Sequence, residues 1–222
     1  MTDKNGDLPR PPDVPDRGVT PQYAFFEAGR FLSRIYAPES YLEPWPHTIG
    51  PKTFRRFGPI ERFDHHAVAD PPAPDASHGI YYAGVDIWDC AVEVFWRTRI
   101  IRLASNRFAA LLVTRDLLLM DLDREGAIRI GATAGLSKGG TRTRTQEWAR
   151  HIHSHPDFYA SDGRPVDGLL YTNSHNEGSA VALFERAEGC LSVDTDRALK
   201  CDTLRTALEL CAARVPALSI EP

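Results

Sequence analysis

The apolar residues of this chain come mostly in runs of strand length bounded by turn formers, with only a few stretches at helical spacing, and that pattern limits the fold more than any other feature. Ile80 to Ala83, Arg107 to Val113, Leu117 to Asp121, Gly168 to Tyr171 and Ala180 to Phe184 each read as a strand. After the turn Gly84-Val85-Asp86, the Asp86 side chain can cap the free amides of a helix, and Asp89 suits its first turn. Ile87, Cys90, Ala91, Val94 and Ile101 fall at helical spacing on one face of it. Ala24-Phe25-Phe26 to Arg34 has mixed periodicity and reads as a short helix running into a strand Arg34-Ile35-Tyr36. Two further helices are expected, one beginning at Thr145 to His153 and one over Thr203 to Arg214. Strands and helices mix without regular βαβ alternation, which predicts an α+β fold with a largely antiparallel sheet flanked by helices, not a doubly wound sheet.

Proline and glycine mark the connections. Residues 1–21 carry five prolines and almost no large apolar side chain, so they read as a mobile proline-rich arm or a strap laid on the surface. Residues 22–222 read as a single domain. Pro38 to Pro59, with Trp45-Pro46-His47, is expected to be an ordered loop, Pro71-Pro72-Ala73-Pro74 a surface connection, and Asn173 to Gly178 a turn. Gly135 to Gly140 reads as a flexible glycine-rich loop, and its Lys138 lacks the strand-Gly-Lys-Ser/Thr order of a P-loop.

Composition removes several function classes. With 26 basic and 30 acidic residues the net charge is −4, which argues against broad binding to a nucleic-acid backbone. No apolar run approaches the roughly 18 residues a membrane span needs, and the N-terminal residues contain no apolar signal core. The four cysteines form no CxxC pair, and they read as thiols of a reduced compartment. A cytoplasmic protein is expected. His151, His153 and His155 alternate on what reads as a helix ended by Pro156, so they are assigned to a solvated helix end, and no metal site is expected.

Three polar positions lie within these structure-forming stretches: Arg62, Glu93 and the pair Asn173-Ser174. Each has an ordinary reading. Glu93 stands four residues before Arg97, as an exposed helix-face acid would, and Arg62 sits beside Glu61. Tyr82 fits an ordinary strand aromatic, and Asn173 and Ser174 are common turn formers. Their order nevertheless carries a resemblance. An Arg-Phe (Arg62-Phe63), a Tyr-Tyr-Ala strand, a Glu on the next helix and a late Asp-Gly-Leu-Leu-Tyr segment ending in Phe-Glu-Arg resemble the RES domain family, named for an arginine, a glutamate and a serine. The resemblance runs from about Phe31 to Ala187, with Trp148-Ala149 in its place upstream of Asp167.

The resemblance implies an ADP-ribosyltransferase-like α+β domain with a split sheet. It also implies an enzyme that degrades NAD by hydrolysis or phosphorolysis, in several members as the toxin half of a pair with an Xre-type antitoxin. Carried over, Glu93, Arg62 and Tyr82 take the catalytic places, and Arg34, Tyr36 and Asn173 or Ser174 bind substrate. A gapless alignment from Asp167 puts Asn173 at the serine position, and a turn one residue longer puts Ser174 there. NAD enters as substrate, with phosphate or water as acceptor and no resident cofactor. The chemistry suits the residue types: guanidinium groups grip phosphates, and a carboxylate stabilises the oxocarbenium-like state formed when neutral nicotinamide leaves. A protein ADP-ribosyltransferase or a non-catalytic nucleotide- or partner-binding scaffold is the alternative.

Overall fold

The computed structural model describes residues 8–11, 19–39, 49–123, 125–173, 175–214 and 218–222. Ser174 and most of the loop around Trp45-Pro46-His47 lie outside the described residues. In chain order the strands are β1 (Tyr23–Phe26), β2 (Phe31–Tyr36), β3 (Phe57–Gly58), β4 (Ala73–Pro74), β5 (Ile80–Gly84), β6 (Ile100–Arg102), β7 (Arg107–Val113), β8 (Leu117–Asp121), β9 (Gly168–Thr172), β10 (Ser179–Phe184), β11 (Leu191–Ala198) and β12 (Ser219–Glu221). The helices are α1 (Ile87–Phe95), α2 (Gly126–Arg129), α3 (Gly135–Lys138), α4 (Arg142–Ser154) and α5 (Asp202–Arg214). Eight strands form one sheet in the order β1-β8-β9-β10-β5-β2-β7-β11, antiparallel except where β8 runs parallel to β9. The α+β class with a mostly antiparallel sheet flanked by helices is what the chain adopts.

Both faces of the central strands are covered, which is why β5, β8 and β10 read as unbroken apolar runs. Leu118 and Met120 of β8 pack with Phe63, Leu136, Trp148, Ile152 and Phe158, so α3 and α4 lie on that face. Leu117 and Leu119, one residue out of phase, join Val181 and Leu183 of β10, Leu32 of β2 and Leu111 of β7 in a second core. Because strands from both ends of the sheet share that second core, the sheet is curled. A third core packs α1 and α5 against Ile35, Ile101 and Phe108. Leu8 is buried in the first core, and Pro9 O accepts a hydrogen bond from Trp148 Nε1 at 2.9 Å.

Asp86 caps α1 as expected, its Oδ1 accepting from Asp89 N at 2.8 Å. Several expectations need correction. The helix expected at Ala24 to Arg34 is a pair of strands, because Tyr23–Phe26 finds edge pairing on β8 and a turn at Gly29, with φ +88°, sends the chain into β2. Tertiary pairing overrides a mixed local pattern. The α1 face ends at Phe95: Ile101 lies on β6, paired with β12, and Val94 is exposed. Gly135 to Gly140 is not a loose loop, since α3 buries Leu136 and Ser137. His153 is not at a solvated helix end, since it reaches Glu185 across to β10's end.

Asp167 and Gly168 are structural. Arg115 clamps Asp167 through both oxygens, at 2.7 and 2.8 Å, and Leu118 N donates to it at 2.9 Å. A Cβ on Gly168 would stand 2.4 Å from Ala182 O and 2.8 Å from Leu183 Cα, both backbone atoms of β10. Gly168→Ala is therefore expected to lower stability by about 1–3 kcal/mol. The check is a urea titration in which the midpoint falls while the slope is unchanged.

Candidate active site

The sheet is split at its centre. β2 and β5 pair at one register position only, Ser33 with Gly84. Beyond it Arg34 to Tyr36 and Ile80 to Ala83 separate, and a cavity of about 450 Å³ opens between them, a size suited to a nucleotide. The segment before β3 enters the gap. Arg55 and Ile80 exchange backbone hydrogen bonds of 2.8 and 3.0 Å, and Tyr81 Oη donates to Pro51 O at 2.7 Å. Arg34, Tyr36, Tyr82 and Glu93 all line this cleft, so the fold gathers four of the residues singled out from sequence.

Glu93 rises from α1 and is solvent-accessible on its cleft side. The surrounding protein desolvates its carboxyl and raises its pKa above the ordinary value, opposed by the positive charge of Arg62 and reinforced by Glu61. Arg62 and Glu93 make no contact ion pair. Arg62 instead donates Nη2 to Leu136 O and Ser137 O, at 3.0 and 2.7 Å, which binds its loop to α3. Its Nε is buried without a hydrogen-bond partner. Arg34 is held likewise, Nη1 donating to Thr53 O at 2.9 Å while the guanidinium lies 4.2 Å from the Tyr81 ring centre. Tyr36 Oη donates to Asp196 at 2.9 Å.

The loop carrying Arg62 is anchored by a buried ion pair. Arg55 meets both oxygens of fully buried Asp64 at 2.7 and 2.8 Å. Burial alone would raise the Asp64 pKa, but the charge and hydrogen bonds of Arg55 and the amides of Ile60 and Glu61 outweigh it and lower it. Tyr82 Oη donates to Asp64 at 3.0 Å and accepts from Phe63 N at 3.0 Å, and Tyr82 is among the residues that line the cleft. Burial holds the Tyr82 and Tyr171 hydroxyls well above their ordinary pKa.

Asn173 is placed behind the cleft. It is fully buried, donates Nδ2 to Asp89 O at 3.3 Å and accepts from His175 N at 2.9 Å. Asn176 Nδ2 donates to Asp89 Oδ1 at 2.8 Å, so the β9–β10 turn is docked on the start of the helix that carries Glu93. Tyr171, Asp89 and Arg55 also line the cleft, and sequence reasoning passed over them. Tyr171 reads as core in an apolar strand, and Asp89 as a first-turn helix acid. Nothing local reveals that Arg55 faces Asp64. No helix among the described residues is long and apolar enough to cross a membrane.

A split, curled sheet whose gap is lined by Glu93, Arg34 and Arg55 defines a nucleotide-sized site on an α+β scaffold. The family model of the RES domain matches residues 32–203, more than three-quarters of the chain, and the chain belongs to the RES domain family. A chain from the crystal structure of the M. tuberculosis MbcT-MbcA toxin-antitoxin complex has a similar fold. The TM-score is 0.51 at 16% identity, over 85% of this chain and 92% of that one. No match was found among curated proteins.

Asp64→Asn tests the anchor. Removing one partner leaves the Arg55 charge uncompensated, and a loss of about 3–5 kcal/mol is expected in chemical denaturation.

Proposed function

We propose that this chain is a toxin of a toxin–antitoxin pair that degrades NAD in the cytoplasm by cleaving its nicotinamide–ribose bond, with phosphate or water as acceptor. The observation that carries the reading is Glu93, exposed to a nucleotide-sized cleft and under the charge of Arg62 without contacting it. Family membership supports NAD as substrate, and the toxin–antitoxin complex with a similar fold supports an antitoxin partner, which by family resemblance is Xre-type.

In this reading the Tyr82 ring stacks on a planar ring of NAD, and Arg34 and Arg62 offer their remaining N–H groups to the pyrophosphate. As the C1–N bond breaks, its electron pair stays on the ring nitrogen and nicotinamide leaves neutral. The ionised Glu93 carboxylate stabilises the cationic ribosyl carbon left behind. A phosphate or water oxygen then bonds to that carbon, and water loses its proton to solvent. Asn173 acts as a positioning residue, fixing α1 and hence Glu93 through Asp89. A protein acceptor would use the same donor chemistry.

A non-catalytic scaffold draws on one observation, that Arg34 and Arg62 already hold backbone carbonyls. The deciding experiment measures NAD loss and nicotinamide release by the purified protein, with and without phosphate, against Glu93→Gln. The wild type should turn over NAD, and the variant should lose at least about 100-fold in rate while still binding nucleotide. Phosphate-dependent loss identifies a phosphorylase and phosphate-independent loss a glycohydrolase. Label transfer from NAD to protein points to an ADP-ribosyltransferase, and no turnover at all leaves the scaffold. Growth arrest on expression alone should likewise disappear with Glu93→Gln.

The pH profile follows from the site. Glu93 must be ionised to act, so activity should fall as pH drops through its raised pKa, with the acid limb above the roughly 4.3 of an ordinary glutamate. Neutralising the opposing charge with Arg62→Gln should move that limb to higher pH. An acid limb unmoved by that change would remove Glu93 from the role.

A further inference from the structure

A second group of titratable side chains lies outside the cleft lining. His65 comes from the loop after Arg62, His153 from α4 and Glu185 from the residue that follows β10. His65 Nε2 is 2.7 Å from Glu185 Oε2, and His153 Nε2 is 2.8 Å from Glu185 Oε1. The two imidazoles are stacked with ring centres 4.4 Å apart, and ligand atoms of all three residues lie within 4.8 Å of one another.

We propose that His65, His153 and Glu185 form a binding site for one divalent transition-metal ion of the zinc type. Two imidazole nitrogens and a carboxylate form a donor set suited to zinc and its neighbours, whereas magnesium and calcium favour oxygen. Both imidazoles meet the Glu185 carboxylate through Nε2, which gathers the three donors at one point where a single cation can replace the shared protons. His65 Nδ1 is buried without a hydrogen-bond partner.

The fourth side of the group is bordered by His78, whose ring stands edge-on to His65 and His153 at centre distances of 5.2 and 5.4 Å. Its Nδ1 is 2.8 Å from Asp75 Oδ2, a carboxylate–histidine pairing of the kind that orients metal-binding imidazoles. The His153 and Glu185 side chains keep 14% and 21% of their surface exposed, which provides an entry path and room for the small spreading that bonds of about 2.0–2.2 Å require. A metal there would tie the loop that carries Arg62 to α4 and to the end of β10. Its effect would be structural, outside the site of NAD chemistry.

The test uses the untagged full chain stripped with a chelator and titrated with Co²⁺, then Zn²⁺. One equivalent of Co²⁺ should bind with the strong visible absorption of a four-coordinate site, and Zn²⁺ should displace it and raise the melting temperature. His153→Asn and Glu185→Gln should each weaken binding at least tenfold and abolish the melting shift, while His155→Asn, outside the group, should do neither. His153 is only partly buried, so its variant keeps the test valid if Glu185→Gln fails to fold. Absence of stoichiometric binding to folded wild type, or equal affinity in His153→Asn, overturns the proposal. The NAD assay is read separately, so either proposal can fail without the other.

Discussion

The site depends on one restricted strand pairing. β2 and β5 meet only at Ser33 and Gly84, and the thiol of Cys90 sits between them, donating to Ser33 O at 2.7 Å and accepting from Gly84 N at 3.3 Å. A side chain at position 84 would have its Cβ 2.9 Å from both the Cys90 amide and its sulfur, so glycine is needed for α1 to start so close to the strand. Burial pushes the Cys90 pKa up to about 12, which makes the thiol a packed hydrogen-bonding group and no nucleophile. Had β2 continued along β5, the ladder would have closed the space that the cleft occupies.

Opening a sheet exposes backbone groups, and the chain satisfies them with an inserted segment. Arg55 pairs with Ile80 through the backbone and with Asp64 through its side chain, so the residue that fills the gap also anchors the loop of Arg62. A buried ion pair of this kind gives little net stability but much geometric definition. Tyr82 adds its hydroxyl to the same carboxylate. The cleft wall and the arginine loop are thereby one hydrogen-bonded unit, and Arg62 extends it to α3 through Leu136 and Ser137.

On the other side, α1 is positioned from both ends of its first turn. Asp86 caps it, and the turn after β9 docks on Asp89 through Asn173 and Asn176. Gly178 is part of that fit: a Cβ there would lie 1.6 Å from Asp89 Oδ1. Asn173 therefore connects to the helix that carries Glu93 through the start of that helix. The sequence named Asn173 as a site residue because of its place in an ordered motif, and only the structure distinguishes contact with the cleft from support of it.

Local signals in the chain carry whatever depends on near neighbours. The strands β7, β8, β9 and β10, the capped start of α1 and the reach of α5 were legible because apolar runs bounded by turn formers, a 3.6-residue pattern and a side-chain cap are local signals. The ordered set Arg62, Tyr82, Glu93 and Asp167-Gly168 was legible too, and it marked the family. The remainder rests on long-range pairing. The strand at Tyr23–Phe26 exists because β8 offers an edge, and β11, unread in sequence, exists because β7 does. The split at Ser33 and Gly84, the pairing of Arg55 with Asp64 and the meeting of His65, His153 and Glu185 join residues up to 120 positions apart. No local propensity encodes such meetings, because they arise only when the hydrophobic faces of separate elements close over common cores.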